Sequence, residues 1–248
     1  QTTEPTFGLP AVWITTSDKQ KAQMAGYTVV DPATVVTTHI KETIKRHASE
    51  LLGRQETQSL VDKFKESNPK VIEELIPDVL SLGKIQKVLQ NLLKEHVSIR
   101  DLRTILEQLA DYAPSTQDTD VLTEYVRQAM ARPITKQFQS ADGSLSVMTL
   151  DRQVEEIIQK SIQRTEVNSF LALEPTIAEK LLVELQGAVE AMSPQMETSP
   201  VLLASPGIRH HLRKFLERFI PDLAVLSHSE IIPSVQIKTL KVVNLNAN

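Results

Sequence analysis

The 248-residue chain has no cysteine, which excludes disulfides, thiol nucleophiles and thiolate metal sites. Aromatic residues are scarce at 4%, so platforms for stacking nucleic-acid bases are poorly supplied. Basic residues are not in excess. Thirty-one acidic against 27 basic side chains leave a net charge of −4, without the positive footprint that gathers a phosphate backbone. Nucleic acid is therefore not expected as a partner. No run approaches the ~20 apolar residues that a membrane-spanning helix requires. The opening QTTEPTFGLPAVWI lacks the charged-then-apolar layout of a signal peptide, and these residues are expected to sit in water.

Motifs of chemistry are also missing. The glycines at 8, 26, 53, 83, 143, 187 and 207 never take the G-x-G-x-x-G or G-x-x-x-x-G-K spacing that surrounds a phosphate with backbone amides. His39 and His47 lie two turns apart on one expected helix, too far for the i, i+4 pair that chelates a metal, and no H-E-x-x-H occurs. The neighbouring carboxylates Glu73-Glu74 and Glu155-Glu156 diverge, whereas an acid and base must converge on one bond. No G-x-S-x-G elbow marks a nucleophile. The expectation is no catalytic residue, no metal and no cofactor. A soluble α/β enzyme with an unrecognised site stands as an alternative reading, because serine, histidine and aspartate are all present.

What is there is a folding chain: 41% hydrophobic residues can bury ordinary cores. The runs AVWIT (11–15) and YTVV (27–30) read as strands flanking a short helix. Asp31-Pro32 then opens a helix whose apolar residues Val36, Ile40, Ile44, Ala48, Leu51 and Leu52 carry it to Gly53, which can take a left-handed cap. Further helices follow. One carries Leu60, Val61 and Phe64 up to Asn68-Pro69. A short element spans Val71 to Ile76, and the next presents Ile85, Val88, Leu89, Leu92 and Leu93 over 84–94. Helices are expected over 98–114, capped at Ser98, and over 120–131. A hairpin over 134–150 would turn at Ala141-Asp142-Gly143-Ser144, with a helix over 151–163 behind it.

Two helices and a hairpin give a winged-helix-like arrangement, which makes a DNA-binding regulator a second alternative. A loop at 166–171, a helix from Pro175 to Met192 and the linker SPQMETSP (193–200) lead to strands at 201–204 and 223–226 around a helix over 207–219. A last strand runs over 235–243. Arg209, His210, His211, Arg213, Lys214 and Arg218 would form a solvated basic face or a subunit contact on that helix. The fold class is α/β, of the mixed α+β kind, with several small subdomains.

Read together, FGLPAVWI (7–14), GYTVVDPATVVTTHI (26–40), ELLGRQE (50–56), IPDVLSLGKIQKVLQNLL (76–93) and IRDLRTILEQLADYAP (99–114) strongly resemble the export-gate (FHIPEP) family of flagellar and type III secretion systems. The tail VLLASPGIRHHLRKFLERFIPDLAVLSHSEI (201–231) also resembles that family's last subdomain. The resemblance implies a first subdomain from 1–27 plus 77–95, with its opening strands missing, and an inserted second over 28–76. The third would cover 96–176 and the fourth 177–248. It implies a non-enzymatic docking platform on the cytoplasmic side of the bacterial inner membrane, ordering protein export. The implied partners are flagellar export chaperones with filament-type substrates, the export ATPase complex, the substrate-specificity switch protein and further copies in a nonameric ring. The family's chaperone dimple falls on Ser49, Leu52 and Gly83, with Leu75 and Leu80 as apolar neighbours. The family can carry an acid, an aromatic and a threonine in place of Ser49, Leu52 and Gly83. ELLGRQE thus reads as a joint beside a docking surface. Leu51 is expected in the core, and Leu52 is balanced between core and dimple.

Overall fold

The computed structural model describes residues 1–165, 169–192 and 199–245. Part of the expected loop (166–168) and most of the expected linker (193–198) lie outside them. Residues 1–48 contribute no buried side chain. Strands β1 (Thr2–Thr3) and β2 (Pro10–Ala11) pair with each other alone, and α1 (Lys19–Met24) follows. Of the expected strands over 11–15 and 27–30, only Ala11 lies in a strand, at the end of β2, while Val12, Trp13, Tyr27 and Val30 are exposed. β-prone residues hold an extended conformation only where a partner strand supplies the ladder, and none adjoins the rest of these runs among the described residues.

Helix α2 (Pro32–Arg46) starts as expected, with the Asp31 carboxylate accepting from Thr34 N at 2.9 Å and Thr34 Oγ1 at 2.7 Å. It does not run on to Gly53. The chain leaves helical geometry at His47 and restarts as α3 (Ala48–Leu51), a break that lets Ser49 and Leu52 turn inward. Helices α4 (Arg54–Ser67), α5 (Pro69–Leu75), α6 (Leu82–Lys94), α7 (Leu102–Tyr112), α8 (Thr119–Ala129) and α9 (Ala131–Phe138) pile onto a first core. Its centre holds Ile85, Val88, Leu89 and Leu92 of α6 and Ile105, Leu106 and Leu109 of α7, and both helices pack on α8. Asp101, not Ser98, caps α7, accepting from Thr104 N at 3.1 Å.

The expected hairpin over 134–150 is replaced by α9 and a single strand, β3 (Leu145–Leu150). The turn between them is real: Gly143 has φ +79°, Gly143 N donates to Ser140 O, and Ser144 N donates to the Asp142 carboxylate. Its first arm coils because Ile134, Thr135 and Phe138 are buried on one helical face. Its second arm pairs in parallel with β6 (Val201–Ala204) on one side and β8 (Ile237–Val243) on the other, and β7 (Ala224–Ser227) completes the four-stranded order β7-β6-β3-β8. A small antiparallel pair does form, between β4 (Ile162–Arg164) and β5 (Ser169–Leu171).

Helices α10 (Arg152–Lys160), α11 (Pro175–Met192) and α12 (Pro206–Leu216) pack with this sheet into a second core, where Val154 and Ile158 meet Leu181, Leu185, Ile208 and Leu212. Strand–helix–strand β6-α12-β7 is the expected βαβ unit, while β8 joins the sheet through β3. The molecule is mixed α/β with a parallel sheet.

Candidate functional site

The segment ELLGRQE is a joint clamped from one side. Leu52 ends α3, and both Gln86 Nε2 (3.0 Å) and Gln90 Nε2 (2.9 Å), one turn apart on α6, donate to its backbone carbonyl. Gly53 is the N-cap of α4 in extended geometry, with φ −82° and ψ −174°, so it does not use the left-handed cap expected of it. Its missing side chain matters for room, since a Cβ there would stand 2.6 Å from Glu56 Oε2. Thr57 Oγ1 donates to Gly53 O at 2.8 Å, and Arg-Gln-Glu opens the helix as expected.

The five residues that the resemblance assigns to a dimple lie at different depths. Leu75 and Leu80 have no more than 1% exposure and belong to the first core. Leu52, 7% exposed, and Ser49 sit just under the surface, whereas Leu51 is 61% exposed. The two leucines thus reverse the order in which their sequence would bury them. α3 is a single turn, and its inward face is set by contact with α6 and not by continuation of the α2 stripe. Gly83, in the first turn of α6, is partly open, and a Cβ on it would stand 2.9 Å from an Arg54 guanidinium nitrogen. α2 leads into the joint with Val36, Ile40 and Ile44 exposed at one-turn spacing.

A second constellation was hidden from sequence reasoning. Arg209, expected on a solvated basic face, is fully buried on α12 and reaches Glu95 at the end of α6, Glu124 on α8 and the Val225 carbonyl. Arg127 on α8 is also buried and pairs with Glu230 and Glu95. Arg213 is 9% exposed and donates to the Leu223 and Pro221 carbonyls. Burial pushes the Glu95 carboxyl up, but the Arg127 and Arg209 charges outweigh it and hold it down to about 2. The cluster ties α6 and α8 of the first core to α12 and β7 of the second. Its members lie too far apart in sequence for local spacing to reveal it. Only Arg218, Lys214 and the two histidines of the expected basic face keep appreciable exposure.

Among the described residues no group of three or more histidine, aspartate or glutamate side chains could hold a metal. No helix of the described residues is long and apolar enough to cross a membrane.

The FHIPEP family profile matches residues 1–236. Over 245 residues the chain is 50% identical to the flagellar biosynthesis protein FlhA of Bacillus subtilis (strain 168), covering 99% of this chain and 36% of that relative. The chain therefore spans about a third of the relative's length. The Chlamydia pneumoniae CdsV and CdsO protein complex contains a chain of the same fold, with TM-score 0.85 and 32% identity over 94% of this chain and 68% of that one. The nonameric EscV cytosolic domain from the type III secretion system matches with TM-score 0.77 and 31% identity, over 92% of this chain and 69% of that one.

Proposed function

We propose, since this chain belongs to the FHIPEP family, that it forms part of the cytoplasmic docking platform of the flagellar type III protein export gate. In this reading it receives chaperone–substrate complexes and orders their export, without catalysing a reaction itself. The observation that carries the reading is 50% identity with a flagellar biosynthesis protein over 99% of the chain. The nonameric EscV domain supports assembly into a ring beneath the inner membrane, and the CdsV–CdsO complex supports a further protein partner for this fold.

We assign the docking surface to the joint between α3 and α4. Gly83 and Leu51 are its reachable positions, whereas Ser49, Leu52, Leu75 and Leu80 are buried. Gly83 leaves the surface shallow, which suits an apolar side chain of the partner resting on α6.

Titration of the purified chain with a flagellar chaperone bound to its filament-type cargo tests this. Gly83→Asp puts a carboxylate where the partner must sit while displacing only the end of a flexible arginine, so it should weaken binding about tenfold or more with an unchanged melting temperature. Unaltered binding by folded Gly83→Asp would remove the joint from the docking surface. No binding by the unsubstituted chain, alone or as a ring, would overturn the platform reading.

A further inference from the structure

A cleft of about 350 Å³ lies between α4 and the start of α7, away from the α3–α4 joint. Its floor is Leu60 and Phe64, one turn apart on α4, with Leu102 opposite; all three are half-buried and packed on the first core. Its rim is cationic: Lys63, Arg100 and Arg103 are all exposed. Among the described residues no carboxylate lies within ion-pairing distance of Lys63 or Arg100. Arg103 is held at the rim by donating to Asn68 Oδ1 at 3.2 Å and by Glu107 at 3.3 Å. The one acid in the lining, Asp101, spends its carboxylate on the start of α7, accepting from Thr104 N and Oγ1. An apolar floor under three cations is unusual on a chain whose net charge is −4.

We propose that this cleft docks an acidic amphipathic segment of a partner protein, one large apolar side chain entering between Leu60, Phe64 and Leu102 while flanking carboxylates meet Lys63 and Arg100. The floor fits an apolar anchor and excludes purely ionic partners, since a segment of charge alone would leave Phe64 and Leu102 wet. The rim selects for acid: a basic segment would face three cations of its own sign. The proposal is independent of the docking surface at the α3–α4 joint, because no residue is shared.

The probe is a labelled amphipathic peptide of about 16 residues, leucines at one-turn spacing and glutamates elsewhere, followed by fluorescence anisotropy against the full chain. A counterpart with lysine in place of every glutamate and a single-stranded oligothymidylate serve as comparisons. The acidic peptide is expected to bind at least about tenfold tighter than the lysine peptide. Lys63→Glu/Arg100→Glu should abolish that preference, whereas Lys65→Glu/Lys70→Glu, the same change of charge outside the cleft, should keep it. All four positions are exposed, so thermal melts of both variants should match the parent. Equal binding of the two peptides, or an acidic peptide that binds the cleft variant as well as the parent, would overturn the proposal. So would oligothymidylate binding as tightly, or self-association of the chain lost in the cleft variant alone.

Discussion

Helix α2 repeats apolar residues at Val36, Ile40 and Ile44, and α6 repeats them at Ile85, Val88, Leu89 and Leu92; the first set is exposed, while the second has no accessible surface. The difference lies in the width of the stripe. Positions i, i+4 and i+8 make a line one residue wide, with Thr37, His39 and Lys41 between. Positions i, i+3, i+4 and i+7 fill an arc of about 100° or more, wide enough to be covered by neighbours. α6 accordingly meets α3, α4 and α8, whereas the main contact of α2 among the described residues is with α3. The same contrast holds for the segments that contain them. Residues 1–48 contribute no buried residue, and the buried residues of both cores follow Ser49.

The largest effect should come from the buried charges that join the two cores. Arg209→Ala leaves Glu95 and Glu124 facing each other without their shared cation, and should cost about 3–5 kcal/mol of unfolding free energy in a denaturant titration. Leu89→Ala should cost about 2–5 kcal/mol by opening a cavity at the centre of α6. Leu52→Asp should cost about 2–4 kcal/mol, because it puts a carboxylate where a leucine is only 7% exposed. Leu51→Asp, one residue away, should leave the melting temperature nearly unchanged. Parity between those two variants would break the depth order read at the joint.

Acid should weaken the buried cluster that joins the two cores. The folded Glu95 carboxyl titrates at about 2 against an ordinary 4.5, so the unfolded chain binds its proton first. Stability from this group is complete above its unfolded value and is lost as pH falls from there through about 2. Stability curves between about pH 5 and pH 3 should therefore slope downward towards acid, and less steeply for Glu95→Gln. The smallest effect belongs to α2: Ile40→Ala should change stability by less than about 0.5 kcal/mol.

Helices with wide stripes were legible, and α11 begins and ends where Pro175 and Met192 suggest. The hairpin was not. Asp142-Gly143 announces a reversal truthfully, but a turn signal says nothing about what its arms pair with, and the partners of Leu145–Leu150 lie about fifty and ninety residues away. The strand expected over 11–15 formed only at Ala11, and that over 27–30 did not form, for a related reason, since propensity names a conformation and not a partner. Of the candidate site, the joint was legible in Gly53 and the residues after it. The Gln86 and Gln90 clamp on the Leu52 carbonyl carries no local signature. The burial of Arg209 was invisible because its partners Glu95 and Glu124 come from other helices.

The proposed docking surface is tested most directly at the α3–α4 joint and along the exposed α2 stripe that leads into it. Hydrogen exchange of the chain with and without a flagellar chaperone–cargo complex measures this directly. Protection should appear in the backbone amides of α2, α3 and the first turns of α4 and α6, while the centres of α7 and α8 exchange slowly in both states. Protection absent from α2, α3 and α6 in a sample with bound chaperone would contradict the account.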